Sequence, residues 1–181
     1  MSVPATHVST SSPPARPAPA SGAWDALVVA VWFAAAGLVG AVVWWQATTL
    51  PRVERIGDGA ALAPGQLVRQ VGIDGWFFVI AAVGGLLSAV VLLAWRRRDP
   101  LLMVVLVVLG GGLASWLMVH VGLWLGPEDV LAALRRRPEG AQVPMQLALH
   151  ATGMAWVWSI AAALGSVGYL WVLAKPESQS V

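Results

Sequence analysis

Between Leu101 and Leu125 the chain reads LLMVVLVVLGGGLASWLMVHVGLWL, without a single Asp, Glu, Lys or Arg. A helix rises ~1.5 Å per residue and the hydrocarbon core of a bilayer is ~30 Å thick, so about 20 consecutive apolar residues cross it. The stretch is long enough to span. Residues 24–46, 75–95 and 151–174 share its apolar character. The pattern predicts an all-α membrane protein, with four transmembrane helices in an up-down bundle and only short segments between them.

Composition agrees with this reading. The chain is 58% hydrophobic and 11% charged, where a soluble domain carries about 25% charged residues, and its mean hydropathy is +0.74. No soluble domain of useful size remains outside the 23–175 membrane region. The net charge of +2 comes from arginines beside the spans, which implies headgroup contact and topology information rather than nucleic-acid binding. With no cysteine at all, disulfides, thiolate metal sites, iron–sulfur clusters and thiol redox chemistry are excluded. Arginine supplies the basic charge apart from Lys175, and the spans are rich in Ala, Val and Gly, a usage that suggests a high-GC bacterial source.

Residues 1–22 are dominated by Pro, Ala, Ser and Thr, with Arg16 as their one charged side chain, and predict a disordered tail; residues 176–181 form a second tail. The apolar run after Trp24 is too long for a secretory signal and ends in Trp44, Trp45 and Gln46, so it reads as a retained first helix. Indole rings prefer the headgroup level. Trp24, Trp95 and Trp171 fall at one side of the four spans, and Trp44, Trp45, Trp76 and Trp124 at the other. Arg96, Arg97 and Arg98 fill the tight turn between spans two and three, where the positive-inside effect is strongest, and this predicts both termini in the cytoplasm. Arg52, Arg55 and Arg69 in the first loop and Arg135 to Arg137 in the third lie on the opposite side, but the third-loop cluster is remote from span four and accompanied by Glu128, Asp129 and Glu139.

Each span carries two small residues four apart: Ala36 and Gly40, Ala81 and Gly85, Gly111 and Ser115, Ala161 and Gly165. Such pairs let helix backbones approach closely in lipid. Gly110, Gly111 and Gly112 together predict a loosened or bent third span. Residues 127–137 read as a short surface helix, with Pro127 at the first position, acids in the first turn and arginines in the last. Its apolar edge would be Val130, Leu131 and Leu134, laid on the membrane or over the bundle mouth. In the first loop, turn signals stand at Asp58-Gly59 and Pro64-Gly65, and a surface turn is expected through Leu67 to Val71. The comparable outer loops give the chain the look of two helical hairpins joined at the arginine turn.

Ionisable groups within a membrane are costly, and so mark functional candidates. His120, between Trp116 and Trp124 on one helical stripe, is the clear case; His150 begins span four on the same membrane side. One reading makes them, or His120 with Met154, axial ligands of a b-type haem or a metal. Depth opposes the paired histidines, since His120 should lie level with Trp156, about six residues or ~9 Å from His150. In the other reading His150 is interfacial and His120 donates a hydrogen bond to a helix. Gln46, Asp74, His120 and His150 share the outer end as a ligand-binding mouth, with ordinary span-end polarity as the competing explanation. Asp25 and Asp99, at the cytoplasmic span ends, read as solvated. No carboxylate lies mid-membrane, which weighs against ion-coupled transport. Nucleophile elbows, phosphate-cradling glycine loops and His-Glu-x-x-His patterns are missing. No catalytic residue, metal site or cofactor is therefore assigned.

The segment from Gly37 to Trp45 leading to Leu50-Pro51, the opening Asp74-Gly-Trp-Phe-Phe78, and Pro144-Met-Gln-Leu-Ala-Leu149 before span four give the chain a layout that resembles a group of uncharacterised four-helix membrane proteins from actinobacteria. The resemblance covers roughly residues 24–175 and implies topology and lineage, without an activity. The expected function is a non-enzymatic accessory or scaffold component of the bacterial cell envelope, in the plasma membrane. Its partners would be the lipid bilayer and other membrane proteins or further copies of itself. A small-solute or haem site at the outer end of spans three and four is the alternative.

Overall fold

A computed structural model describes residues 20–56, 59–62, 65–96, 99–128 and 130–174. The expected tails, apart from residues 20–22, lie outside these, as do Asp58, Pro64, Arg97, Arg98, Asp129 and Lys175. In chain order the elements are α1 (Ala20–Ala47), β1 (Arg52–Ile56), β2 (Gly59–Leu62), α2 (Leu67–Trp95), α3 (Pro100–Leu125), α4 (Val130–Arg135), β3 (Gln142–Pro144) and α5 (Val157–Ala174), the last entered through a 3₁₀ turn at Thr152–Trp156. The segments containing α1, α2, α3 and α5 are long and apolar enough to cross a membrane. The chain is a multi-pass membrane protein built as a four-helix bundle.

Helix directions alternate. Asp25 at the start of α1 pairs with Arg96 just past the end of α2, while the Trp44 indole near the end of α1 donates to the Ile73 carbonyl near the start of α2, 2.9 Å away. Those two contacts define a turn end and a loop end of the bundle. Consecutive helices nevertheless do not make the largest interfaces. α1 packs most heavily on α3 and α2 on α5, with α3 against α5 closing the interior; α1 and α2 touch far less. The two hairpins thus lie side by side in parallel register.

Glycines set these approaches. A Cβ on Gly37 would stand 2.7 Å from the Ala114 carbonyl oxygen, one on Gly85 2.6 Å from that of Trp158, and one on Gly111 2.9 Å from the Ser159 Cα. Gly165 faces the Leu86 carbonyl oxygen at 3.0 Å from its would-be Cβ. The small-residue reading therefore locates the contact on α2, α3 and α5, where backbones gain dispersion that lipid cannot supply. On α1 the backbone contact falls at Gly37, while Gly40 faces the side chains of Met118, Trp158 and Ile80. The glycine triplet does not interrupt α3: Gly110 accepts the Phe33 ring and Gly111 the α5 backbone.

Four expectations are corrected. α2 begins at Leu67, so the surface turn expected through Val71 is the first part of the helix, and Ile73 is buried. α1 begins at Ala20, inside the expected tail. Trp44 is no headgroup anchor; it is fully buried, edge-on to Phe77 at 5.3 Å. Asp25 is not solvated either, since its side chain is 10% exposed and ion-paired with Arg96 at 20%. Arg96 thus holds two helices together, whereas Asp99 caps α3 by accepting the Leu102 N–H at 3.2 Å, with Pro100 next to it.

The first and third loops fold together, which the sequence does not disclose. β1 pairs antiparallel with β2 (Val53 opposite Leu62) and with β3 (Val53 opposite Val143), in the order β2-β1-β3. Val53, Leu134 and Val143 form a small core of their own between the sheet and α4. α4 is shorter than the expected 127–137 helix and turns Leu134 inward, while Leu131 remains exposed. The Arg55 guanidinium donates to the carbonyls of Leu134 and Arg137, placing a cation at the C-terminal end of α4, where the Leu134 carbonyl also accepts the Arg137 N–H at 3.1 Å.

Candidate functional site

The four polar residues expected at one mouth are distributed over three places at the loop end. Asp74 lies in the second turn of α2 and faces the start of the fourth span. Its Oδ1 accepts the His150 N–H and its Oδ2 the Ala151 N–H, both at 3.1 Å. Ala151 precedes the 3₁₀ turn and supplies no side-chain cap of its own, so a carboxylate from another helix performs that role. A negative charge at a helical N-terminus is favoured by the aligned peptide dipoles. The His150 Nδ1 stands 3.9 Å from Oδ1, beyond hydrogen-bond range, with the two side chains 30% and 15% exposed. Asp74 and His150 are therefore joined, chiefly through the backbone.

His120 is exposed on α3. Its Nδ1 lies 2.8 Å from the Trp116 carbonyl oxygen, which can only accept, so Nδ1 carries the proton and Nε2 keeps its lone pair when the ring is neutral. The imidazole also rests against the Trp116 ring, centroids 4.4 Å apart. Beside it runs a groove of about 280 Å³, lined by Gly112, Ser115, Val119, Ala155 and Trp156. The expected level match of His120 with Trp156 holds there. Ser115 is buried, and its hydroxyl has no hydrogen-bond partner among the described residues. Met154 packs against the main core.

Gln46 belongs to a third place, a polar cleft of about 580 Å³ with Trp45, Thr48, Thr49, Arg52 and Arg69. Neither Gln46 nor His120 bonds to Asp74 or His150 among the described residues. Sequence reasoning counted Arg52 and Arg69 only toward topology, and Thr48 not at all; the signal available was polar Gln46-Ala-Thr-Thr49 at a span end, followed by two arginines in the same loop region. Among the described residues no three His, Asp or Glu side chains gather as a metal-binding cluster.

Comparison with protein-family models, with curated proteins and with solved structures finds no match for this chain.

Proposed function

We propose that the protein is a non-enzymatic accessory or scaffold component of a bacterial cell envelope, anchored in the plasma membrane by its four spans with both termini cytoplasmic, and acting through other membrane proteins or further copies of itself. The single observation that carries this reading is the folded cap. Two loops whose paired strands lie about 90 residues apart in sequence are drawn into one sheet, plugged by Leu134 and clamped by Arg55. Ordering loop backbone opposes folding by ~1–2 kcal/mol per residue, so a fixed cap favours a role in which its shape is recognised. Ionisable groups around the bundle serve the architecture: Asp25 with Arg96, Asp99 on α3, and Asp74 on the fourth span. The lineage resemblance and the arginine turn support the assigned membrane and orientation.

Because the chain has no cysteine, single-cysteine crosslinking tests the proposal cleanly. Arg136→Cys, at an exposed position next to α4, should be modified from outside intact cells by a membrane-impermeant maleimide and should crosslink into one defined product. Labelling only after lysis would refute the orientation, and a diffuse ladder with no defined product would refute the scaffold role.

A second reading rests on the orphan Ser115 hydroxyl and the His120 Nε2 beside the α3 groove, which suit a small solute or a haem. A reduced haem band abolished by His120→Ala supports it, and a colourless protein removes the haem form.

A further inference from the structure

The polar cleft and the weak α1–α2 interface belong to one feature. Along α1, Val39, Val43 and Gln46 recur at i, i+4 and i+7, and along α2, Arg69, Trp76 and Val83 recur at i, i+7 and i+14, so each set occupies one helix face. Below the cleft these faces bound an apolar groove of about 380 Å³, which includes Ala36, Ile80 and Gly84 and has the Trp158 indole at its side. Gly72, between Arg69 and Trp76, leaves open space where a side chain would stand. From Arg69 to Val83 the helical rise gives about 21 Å, half of the ~40–45 Å bilayer including its headgroups. A charged compartment at headgroup level therefore continues the line of an apolar one within a single leaflet.

We propose that this groove binds one anionic phospholipid, its phosphodiester between Arg52 and Arg69 and an acyl chain along Val39, Val43 and Val83. Among the described residues neither arginine has a carboxylate partner. Guanidinium groups are donors matched to phosphate oxygens. The groove selects a lipid over free phosphate because its lining reaches Val43, about one turn of α1 from Gln46 in the cleft, and would gain nothing from an inorganic ion.

The test is native mass spectrometry of the full chain released from nanodiscs of equimolar dioleoyl phosphatidylglycerol and dioleoyl phosphatidylcholine. The wild type should retain one phosphatidylglycerol. Arg52→Gln with Arg69→Gln should lower its preference over phosphatidylcholine roughly twenty-five-fold, about fivefold for each basic side chain at an anionic surface. Arg135→Gln with Arg136→Gln, at exposed arginines away from the groove, should leave it unchanged, and Val39→Phe, at an exposed lipid-facing position, should block retention with the arginines intact. Equal losses in both arginine pairs would overturn the site in favour of diffuse attraction. Displacement by inorganic phosphate, or full retention in Val39→Phe, would overturn the lipid. The cap can lack any protein partner while the groove still holds lipid, so this result is separable from the scaffold reading.

Discussion

Replacing Asp74 by Ala removes the acceptor of two backbone N–H groups at once. Hydrogen bonds to a charged acceptor contribute ~1.5–3 kcal/mol each, and taking the lower figure for a carboxylate still touched by water gives about 3 kcal/mol for the pair. The loss is local, because it frees the entry to the fourth span while Gly85, Gly111 and Gly165 keep the helices together. Amide hydrogen exchange at His150 and Ala151, read on peptides covering residues 147–156 in micelles, should accelerate roughly a hundredfold, at 1.4 kcal/mol per tenfold. Asp74→Asn keeps one acceptor oxygen without the charge and should fall between. His150→Ala should change exchange less than twofold, since the imidazole lies beyond hydrogen-bond range and is partly hydrated. Unchanged amides in Asp74→Ala, together with faster exchange in His150→Ala, would refute the assignment of Asp74 as a cap and return it to the class of free site residues.

Further predictions concern the bundle and its cap. Arg96→Gln should destabilise by about 1–3 kcal/mol by leaving Asp25 unpaired at the turn end, and Asp25→Leu with Arg96→Met should recover most of that loss in thermal unfolding. Gly111→Val, with its Cβ against the Ser159 backbone, should abolish a monodisperse gel-filtration peak, whereas Gly168→Ala, which meets open space, should be neutral or slightly stabilising. Arg55→Gln should cost about 1–2 kcal/mol of cap stability by removing the cation that bonds the Leu134 and Arg137 carbonyls; limited trypsin cleavage after Arg135 and Arg136 should then quicken while the spans stay intact.

The spans were legible because apolar length is a property of contiguous residues, and the ends of α2 and α3 fall where Arg96 and Gly126 suggest. The start of α2 was hidden by Arg69, Gln70 and Asp74, which lower hydropathy without interrupting the helical period. Pairing across the fold was the harder part. Nothing local in Arg52-Val-Glu-Arg-Ile56 indicates that Val53 meets Val143, because short strands acquire their meaning from partners far along the chain. Asp25 looked solvated for the same reason: its neutralising charge arrives only when α1 and α2 lie antiparallel. Of the mouth, Asp74 meets the His150 backbone at the loop end, while which groups share a cleft depends on how α1, α2 and α3 rotate about their axes. The close backbone approaches at Gly37, Gly85 and Gly111 constrain that rotation, and no local pattern of polar residues announces them.

Tagged co-purification from native membranes in mild detergent, with quantitative mass spectrometry of wild type beside Leu134→Asp, bears most directly on the scaffold proposal. Leu134 is the buried centre of the cap and is remote from the bundle core. The account predicts a stoichiometric partner or a discrete homo-oligomer with the wild type, lost when the cap is opened while the spans remain folded. A solitary monomer, or the same assembly retained in Leu134→Asp, would contradict it.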